Sequence, residues 1–428
     1  VRSSRRLRTS AAVTLAAALL LPTAALATPA PDGLWYVDAL ALDQAQQTAT
    51  GSGITIAVID TPIDPTIPEL EGVDLTVHEP GFCDCDGDGT RDPATAQDPS
   101  ASHGTSMTAL ILGNGRGNGR DAGIRGIAPG ATVRHYSRGT APSMDEANAD
   151  EAVRQAIADG ADIINMSFGG SAPPVGHPWR DALAEALRAG VVLVASGGNV
   201  EGLPGFPAAG NGIVTVSHFG PDGEMVDGEN VAGPQVDVAA PGRDILAVAP
   251  GETGGYGRGN GSSASAAIVS GVLALAWSAH PEATGNQMIQ ALLRTTESSD
   301  GDLTRYDDWW GYGKVSLTRL LASDPTSYPD VNPLLVDGPD QVPTLEEVVG
   351  NPGTETTPDV AADGSDEDPG AADGRPAAEQ PAEASLLPPV LLGVAALVVL
   401  GLVALGAVAA RRSRAATVGA GDAVEERV

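Results

Sequence analysis

Cysteine and lysine are almost missing from this chain. Of its 428 residues only Cys83 and Cys85 are cysteines, one residue apart. Such a pair offers neither the C-x-x-C spacing of redox sites nor the ligand count of a structural metal site, and it excludes a disulfide framework. In an oxidising compartment it can close a small ring that clamps one loop. Lysine occurs once, at Lys314, so arginine carries nearly all the positive charge. That bias, with abundant alanine, points to GC-rich bacterial coding. Positive charge is scarce overall, and the formal net charge is -31. Phosphate would be repelled, so nucleic acid is not an expected partner.

Long hydrophobic runs lie near the two ends. Arg2, Arg5, Arg6 and Arg8 precede an apolar stretch at 11–21, and Ala25-Leu26-Ala27 is a small-x-small cleavage site. Residues 1–27 therefore read as a secretion signal, with an apolar core short for a membrane span. Residues 390–410 are an unbroken run of apolar residues, alanine and glycine. A helix over 386–410, rising about 1.5 Å per residue, would cross a hydrocarbon core of about 30 Å. Arg411, Arg412 and Arg414 follow at once, which assigns the tail 411–428 to the cytoplasm. The expected product is a single-pass protein of the cell membrane with its bulk outside.

Between these ends the composition changes near residue 324. From 324 to 385 proline, glycine, alanine and acids dominate, and Arg375 is the lone basic residue. Burial there cannot offset chain entropy, so a disordered, self-repelling stalk is expected. The body, 28–323, alternates helix and strand signals. Ser143-Met144-Asp145-Glu146 is a capping box opening a helix that stops at Gly160. Residues 162–166 read as a strand, 179–189 as a helix and 213–217 as a further strand. The near-continuous apolar run 191–195 marks a strand covered on both faces. This alternation predicts an α/β domain with a largely parallel sheet, whose active site gathers at the carboxyl ends of the strands.

Three fragments carry the chemistry. Asp60 closes the apolar run from Ile54, His103 opens His103-Gly104-Thr105, and Ser263 lies in Gly261-Ser262-Ser263-Ala264-Ser265 ahead of an apolar helical run. A serine hydroxyl is inert until a base takes its proton, and neutral histidine can do so near neutral pH. A buried carboxylate then holds the imidazole tautomer and stabilises its charged form. Ser263 fits the nucleophile, His103 the base and Asp60 the orienting carboxylate, with Ser262 as the neighbouring alternative nucleophile. A helix starting at Ser263 would aim N–H groups and a favourable dipole at negative charge. Asn199, after Ser196-Gly197-Gly198, is the candidate side-chain donor to an oxyanion. Ser167, Phe168 and Gly169 form an extended segment able to pair with a substrate backbone as an added strand. No cofactor is required by this chemistry. His78, His135, His177, His218 and His280 lack such context and read as surface or packing residues.

One acidic insertion stands apart. Asp84, Asp86, Asp88 and Asp92 alternate around glycines, a pattern suited to an oxygen-ligated calcium ion. Thr95 stands where a bidentate glutamate would complete an EF-hand loop.

Taken together, Ala57-Val58-Ile59-Asp60-Thr61, His103-Gly104-Thr105, Ile164-Asn165-Met166-Ser167-Phe168-Gly169, Gly198-Asn199 and Gly261-Ser262-Ser263 resemble the subtilisin-like serine protease family. Val238-Ala239-Ala240-Pro241-Gly242 and Gly311-Tyr312-Gly313 match as well. The resemblance spans about residues 50–320. It implies a seven-stranded parallel sheet flanked by helices and endopeptidase action on protein or peptide substrates. It also implies a triad of Asp60, His103 and Ser263, with Asn199 at the oxyanion and substrate along Ser167–Gly169.

The ends refine this. The stretch between Ala27 and Asp60 is too short for the long inhibitory pro-domain of most secreted members. A short N-terminal extension, a proline-rich tail and one C-terminal span look like the mycosins, membrane-anchored subtilisin-like proteases associated with type VII secretion. That likeness implies a membrane secretion complex as partner. It also brings an alternative, a scaffold role in which proteolysis is weak or dispensable. The chain departs from the family at Pro62, where glycine is usual, at Ser262, where threonine is usual, and at Ala267, where a proline normally starts the nucleophile helix. The cysteine pairs expected of mycosins are absent.

Overall fold

The structure is a computed structural model, and it describes residues 33–117, 122–140, 148–172, 176–248 and 255–350. The chain enters through two short helices, α1 (Trp35–Ala39) and α2 (Leu42–Ala45), and then forms the strand β1 (Thr55–Asp60). β2 (Leu75–His78), α3 (Ser102–Leu112) and β3 (Thr132–Ser137) follow. The predicted alternation continues with α4 (Ala149–Ala158), β4 (Ile163–Met166), α5 (Pro178–Arg188), β5 (Val192–Ser196), β6 (Val214–Phe219) and β7 (Val238–Pro241). A hairpin of β8 (Ile245–Val248) and β9 (Tyr256–Gly259) precedes the long α6 (Ser262–Ser278). α7 (Gly285–Arg294), α8 (Leu317–Leu321) and α9 (Leu345–Val349) complete the order.

β1 to β7 form one sheet in the order β2-β3-β1-β4-β5-β6-β7, and every adjacent pair is parallel. This is the α/β architecture expected from the sequence. Strands such as β5, buried at every residue, need cover on both faces, and they have it. One apolar cluster gathers α3 and α6 against one face of the sheet. A second gathers α4 and α5 against the other. α6 is apolar nearly all round and accordingly buried from Ala264 to Trp277. It runs unbroken through Ala267, so the missing proline does not interrupt the helix. α5 starts on Pro178, whose absent N–H costs nothing in a first turn, while His177 accepts the Trp179 N–H. The capping box at 143–146 lies outside the described residues.

Of the stretch read as stalk, residues 324–350 are described and 351–385 lie outside the described residues. Residues 324–350 pack on the body instead of leaving it. Asn211 Nδ2 donates to the carbonyls of Val336 and Pro343, and Asn332 Nδ2 donates to Gly212. Arg188 donates to the carbonyls of Glu347 and Val348, and Arg180 pairs with Glu347 at 3.3 Å. Val348 is buried and Leu334 and Val342 pack against the two cores. Average composition missed this because a few well-placed apolar residues and backbone carbonyls hold the segment. Among the described residues no helix is long and apolar enough to cross a membrane. The signal at 1–27, the span at 386–410 and the tail at 411–428 lie outside the described residues.

Candidate active site

Asp60 ends β1 at the carboxyl edge of the sheet, where the strand order reverses between β3 and β4. Its carboxylate is buried, at 2% exposure, and accepts from the Thr61 N–H at 2.7 Å. His103 sits in the first turn of α3, and its Nδ1 lies 2.6 Å from Asp60 Oδ1. The residue after it must be glycine. A Cβ on Gly104 would stand 2.4 Å from the Thr61 carbonyl and 2.7 Å from that of Pro62. The bare backbone lets α3 close onto the β1 turn, where Thr61 Oγ1 accepts the Gly104 N–H. Pro62 is accommodated because the N–H bonds of this corner come from Thr61 and Gly104.

Burial alone would raise the Asp60 pKa. The His103 charge, its hydrogen bond and the Thr61 N–H outweigh that and hold the carboxylate below its ordinary range. The Asp60 charge raises His103 above an ordinary histidine, against opposition from burial and from the Arg138 charge.

Ser263 occupies the first turn of α6, half-buried, and its Oγ donates to the Ser167 carbonyl at 3.2 Å. In return Ser167 Oγ donates to the Ser263 carbonyl at 2.9 Å. Asn165 on β4 supports this clasp: its Nδ2 donates to Ser167 Oγ, and its Oδ1 accepts from Ser270 on α6. The segment Ser167–Gly169 is thereby fixed beside the nucleophile helix. Ser262 does not face outward like its neighbour. It is fully buried, its N–H and Oγ engage Asn199 Oδ1 at 2.8 and 3.0 Å, and its Oγ also meets the Gly198 backbone. This geometry favours Ser263 over Ser262 as the nucleophile. Gly261 before it has φ +144, and a Cβ there would strike the Asn199 amide at 2.7 Å. His103, Asn199 and Ser263 line one cavity of about 290 Å³.

The four residues singled out for catalysis thus meet at one edge of the sheet. Two partners were not singled out in the sequence. Arg138, just past β3, donates its backbone N–H to the Asp60 carbonyl, and its guanidinium lies 4.7 Å over the Phe168 ring. His135, read as packing, is fully buried behind the site, with Nε2 2.9 Å from the Thr61 carbonyl and Nδ1 3.2 Å from Thr108 Oγ1. His135 lies on β3 and Arg138 just past its end, distant from the motifs in sequence, and only the β1–β3 pairing brings them near.

The acidic insertion divides. Carboxylate oxygens of Asp84, Asp86 and Asp88 lie within 4.8 Å of one another, and Asp84 Oδ1 is buried without a hydrogen-bond partner. Asp92 does not join them, because its Oδ2 accepts the Cys85 N–H and it groups with the cysteines. Cys83 and Cys85 are joined in a disulfide, the local clamp expected for so close a pair, and it packs on Gly139.

Comparisons with known proteins bear on the family and the fold. The profile of the Subtilase family matches residues 51–313. Fervidolysin from Fervidobacterium pennivorans is 29% identical over 67% of this chain and 43% of its own length. Mycosin-1 from Mycolicibacterium smegmatis is 27% identical over 73% of this chain and 75% of its own. Subtilisin E from Bacillus subtilis is 30% identical over 62% and 65% respectively. The chain spans less than two thirds of the length of the first of these curated relatives. Among solved structures, crystalline fervidolysin superposes with a TM-score of 0.55 at 28% identity, covering 71% of this chain and 46% of that one. MycP3 protease, from the type VII (ESX-3) secretion system, gives 0.53 at 25% identity over 68% and 89%.

Proposed function

This chain belongs to the subtilase family, and from that we propose that it is a serine endopeptidase whose nucleophile is Ser263. The observation that carries the reading is the Nδ1–Oδ1 contact of His103 and Asp60, with His103, Ser263 and Asn199 on one cavity. Rotation about its Cα–Cβ bond turns the Ser263 hydroxyl from the Ser167 carbonyl toward the free edge of the imidazole. Ser263 Oγ then bonds to the substrate carbonyl carbon as its proton passes to His103 Nε2. Collapse breaks the C–N bond, and His103 returns that proton to the departing amine. Water repeats the sequence on the acyl-enzyme. Asp60 keeps the proton-bearing Nδ1 in place throughout.

Asn199 Oδ1 is occupied by Ser262, which leaves Nδ2 as the group to donate to the oxyanion, beside the Ser263 N–H. Ser167–Gly169 receives the acyl half of the substrate as an added strand. Calcium is the ion that Asp84, Asp86 and Asp88 would hold, by oxygen donors alone, and no catalytic step passes through it.

The likeness to Mycosin-1 and to MycP3, a protease of a type VII secretion system, supports a type VII secretion complex as partner, and the apolar run at 390–410 followed by Arg411, Arg412 and Arg414 supports anchoring in the cell membrane with the catalytic body outside. A fluorophosphonate probe applied to the full chain tests the chemistry. Labelling that disappears in Ser263→Ala is expected, and a folded wild type that takes no label would favour the scaffold role. External protease on intact cells tests the topology. A tag after Val428 should survive while the body is digested.

A further inference from the structure

The catalytic reading makes no use of the disulfide. Its two sulfurs belong to the insertion that follows β2, and they sit unequally: Cys83 is fully buried, while Cys85 is exposed. The ring they close is seated on Gly139. That residue has φ +66, and a Cβ on it would stand 2.3 Å from Cys85 Sγ and 2.6 Å from Cys83 Cβ. Glycine is required there because the disulfide occupies the place of a side chain.

Gly139 closes a corner that reaches the reacting groups. Ser137, at the end of β3, pairs with Asp60 at the end of β1. Its carbonyl accepts the Phe82 N–H of the insertion at 2.7 Å, and its Oγ accepts the Gly139 N–H at 3.1 Å. Between them Arg138 donates its backbone N–H to the Asp60 carbonyl at 2.8 Å and lays its guanidinium over the Phe168 ring. Phe168 is the middle residue of the strip that receives the acyl half of the substrate. Asp92 stiffens the insertion, since its N–H donates to the Cys83 carbonyl and its Oδ2 accepts the Cys85 N–H. Contacts therefore run from the disulfide through Gly139 and Arg138 to Phe168.

We propose that the Cys83–Cys85 disulfide is a thiol-reversible brace that positions the substrate strip, so that opening it weakens the binding of extended peptides and leaves the triad working. An exposed disulfide exchanges more readily than a buried one. A thiolate of an external dithiol bonds to Cys85 Sγ, and the bond between the two sulfurs breaks, with Cys83 leaving as a thiolate that takes up a proton. The reductant's second thiol then displaces Cys85, so the protein gains two thiols and the dithiol ends as a disulfide. Opening the ring frees Cys85 to move off Gly139, and the corner at 137–139 loses its seat. The triad is held apart from this corner, by the His103–Asp60 contact and by α3 and α6, so it persists. The inference rests on the endopeptidase reading and adds a control to it.

Cys83 and Cys85 are the only cysteines in the chain, so a thiol-dependent change in this protein is a change at this bond. The test compares the full chain, oxidised and after dithiothreitol, on a peptide with several residues ahead of the scissile bond. Reduction should raise KM roughly fivefold to thirtyfold, the equivalent of one or two lost hydrogen bonds, with kcat and the rate of fluorophosphonate labelling little changed. Reoxidation should restore KM. The double variant Cys83→Ala, Cys85→Ser should carry the raised KM permanently and ignore dithiothreitol. A bond that stays closed in the folded protein under dithiothreitol overturns this inference alone, as does a labelled enzyme with equal KM in both states. A labelled double variant with the wild-type KM does the same, and so does a fall in kcat and labelling rate as large as the rise in KM. A well-folded wild type with neither labelling nor cleavage overturns it together with the reading beneath it.

Discussion

His103 Nδ1 and Asp60 Oδ1 lie 2.6 Å apart, joining the first turn of α3 to the end of β1. The pair shifts in opposite directions, the carboxylate down and the imidazole up. A general base works only when neutral, so kcat/KM should rise with pH through a midpoint above about 6.5, the ordinary histidine value. Asp60→Asn removes the raising charge, which should lower that midpoint and cost about ten-thousandfold in kcat. A rate unchanged between pH 5 and 8 would exclude His103 as the base.

Ser262 grips Asn199 through both its N–H and its hydroxyl. Ser262→Ala keeps the first contact and loses the second, so the amide is held less firmly. We expect kcat to fall about fivefold with KM little changed, since a neutral hydrogen bond contributes about 1 kcal/mol. Asn199→Ala should cost about a hundredfold to a thousandfold in kcat. Steady-state kinetics on one peptide separate the two. If Ser262→Ala abolished acylation while Ser263→Ala retained it, the assignment of nucleophile would be reversed.

His135 is buried beneath the Asp60–Thr61 corner, and burial lowers its pKa below the ordinary histidine value. The unfolded chain therefore binds a proton more readily than the folded one as pH falls below about 6.5. Its neutral form is favoured in the fold, so stability drains away with acid. His135→Gln, which cannot be charged, should flatten the decline in urea midpoint between pH 7 and pH 5. An identical decline in both proteins would remove His135 as its source.

Arg180 is 7% exposed in its side chain and meets Glu347 of the C-terminal segment. Burial works against the Glu347 charge, but the Thr344 N–H and Arg180 prevail and hold its pKa down. Arg180→Ala should destabilise the body by about 1.5–3 kcal/mol, the range for hydrogen bonds to charged groups. Limited proteolysis should then cut within 324–350 sooner than in wild type, with fluorophosphonate labelling retained. Equal cleavage rates would show that the other contacts suffice to hold the segment.

Much of this molecule was legible before any coordinates. Apolar runs such as 54–59 and 191–195 dictate buried strands, because alternation with helices leaves a parallel sheet as the way to cover both their faces. The fragments around Asp60, His103, Asn199 and Ser263 each carry a local pattern, such as the glycine beside His103, that marked them as candidates before the fold brought them together. Tertiary structure alone decided the rest. Pairing of β1 with β3 brought His135 and Arg138 to the site, a relation between residues far apart in sequence. Ser262 and Ser263 differ in role because the first turn of α6 aims one inward and the other at the cleft. Asp92 left its acidic neighbours for the disulfide loop, and residues 324–350 docked through a few carbonyls and apolar contacts. The cavity beside Ser263 exists only where α3, the hairpin and α6 converge. Composition and periodicity report what a segment must bury, whereas contacts between distant segments are set by three-dimensional packing.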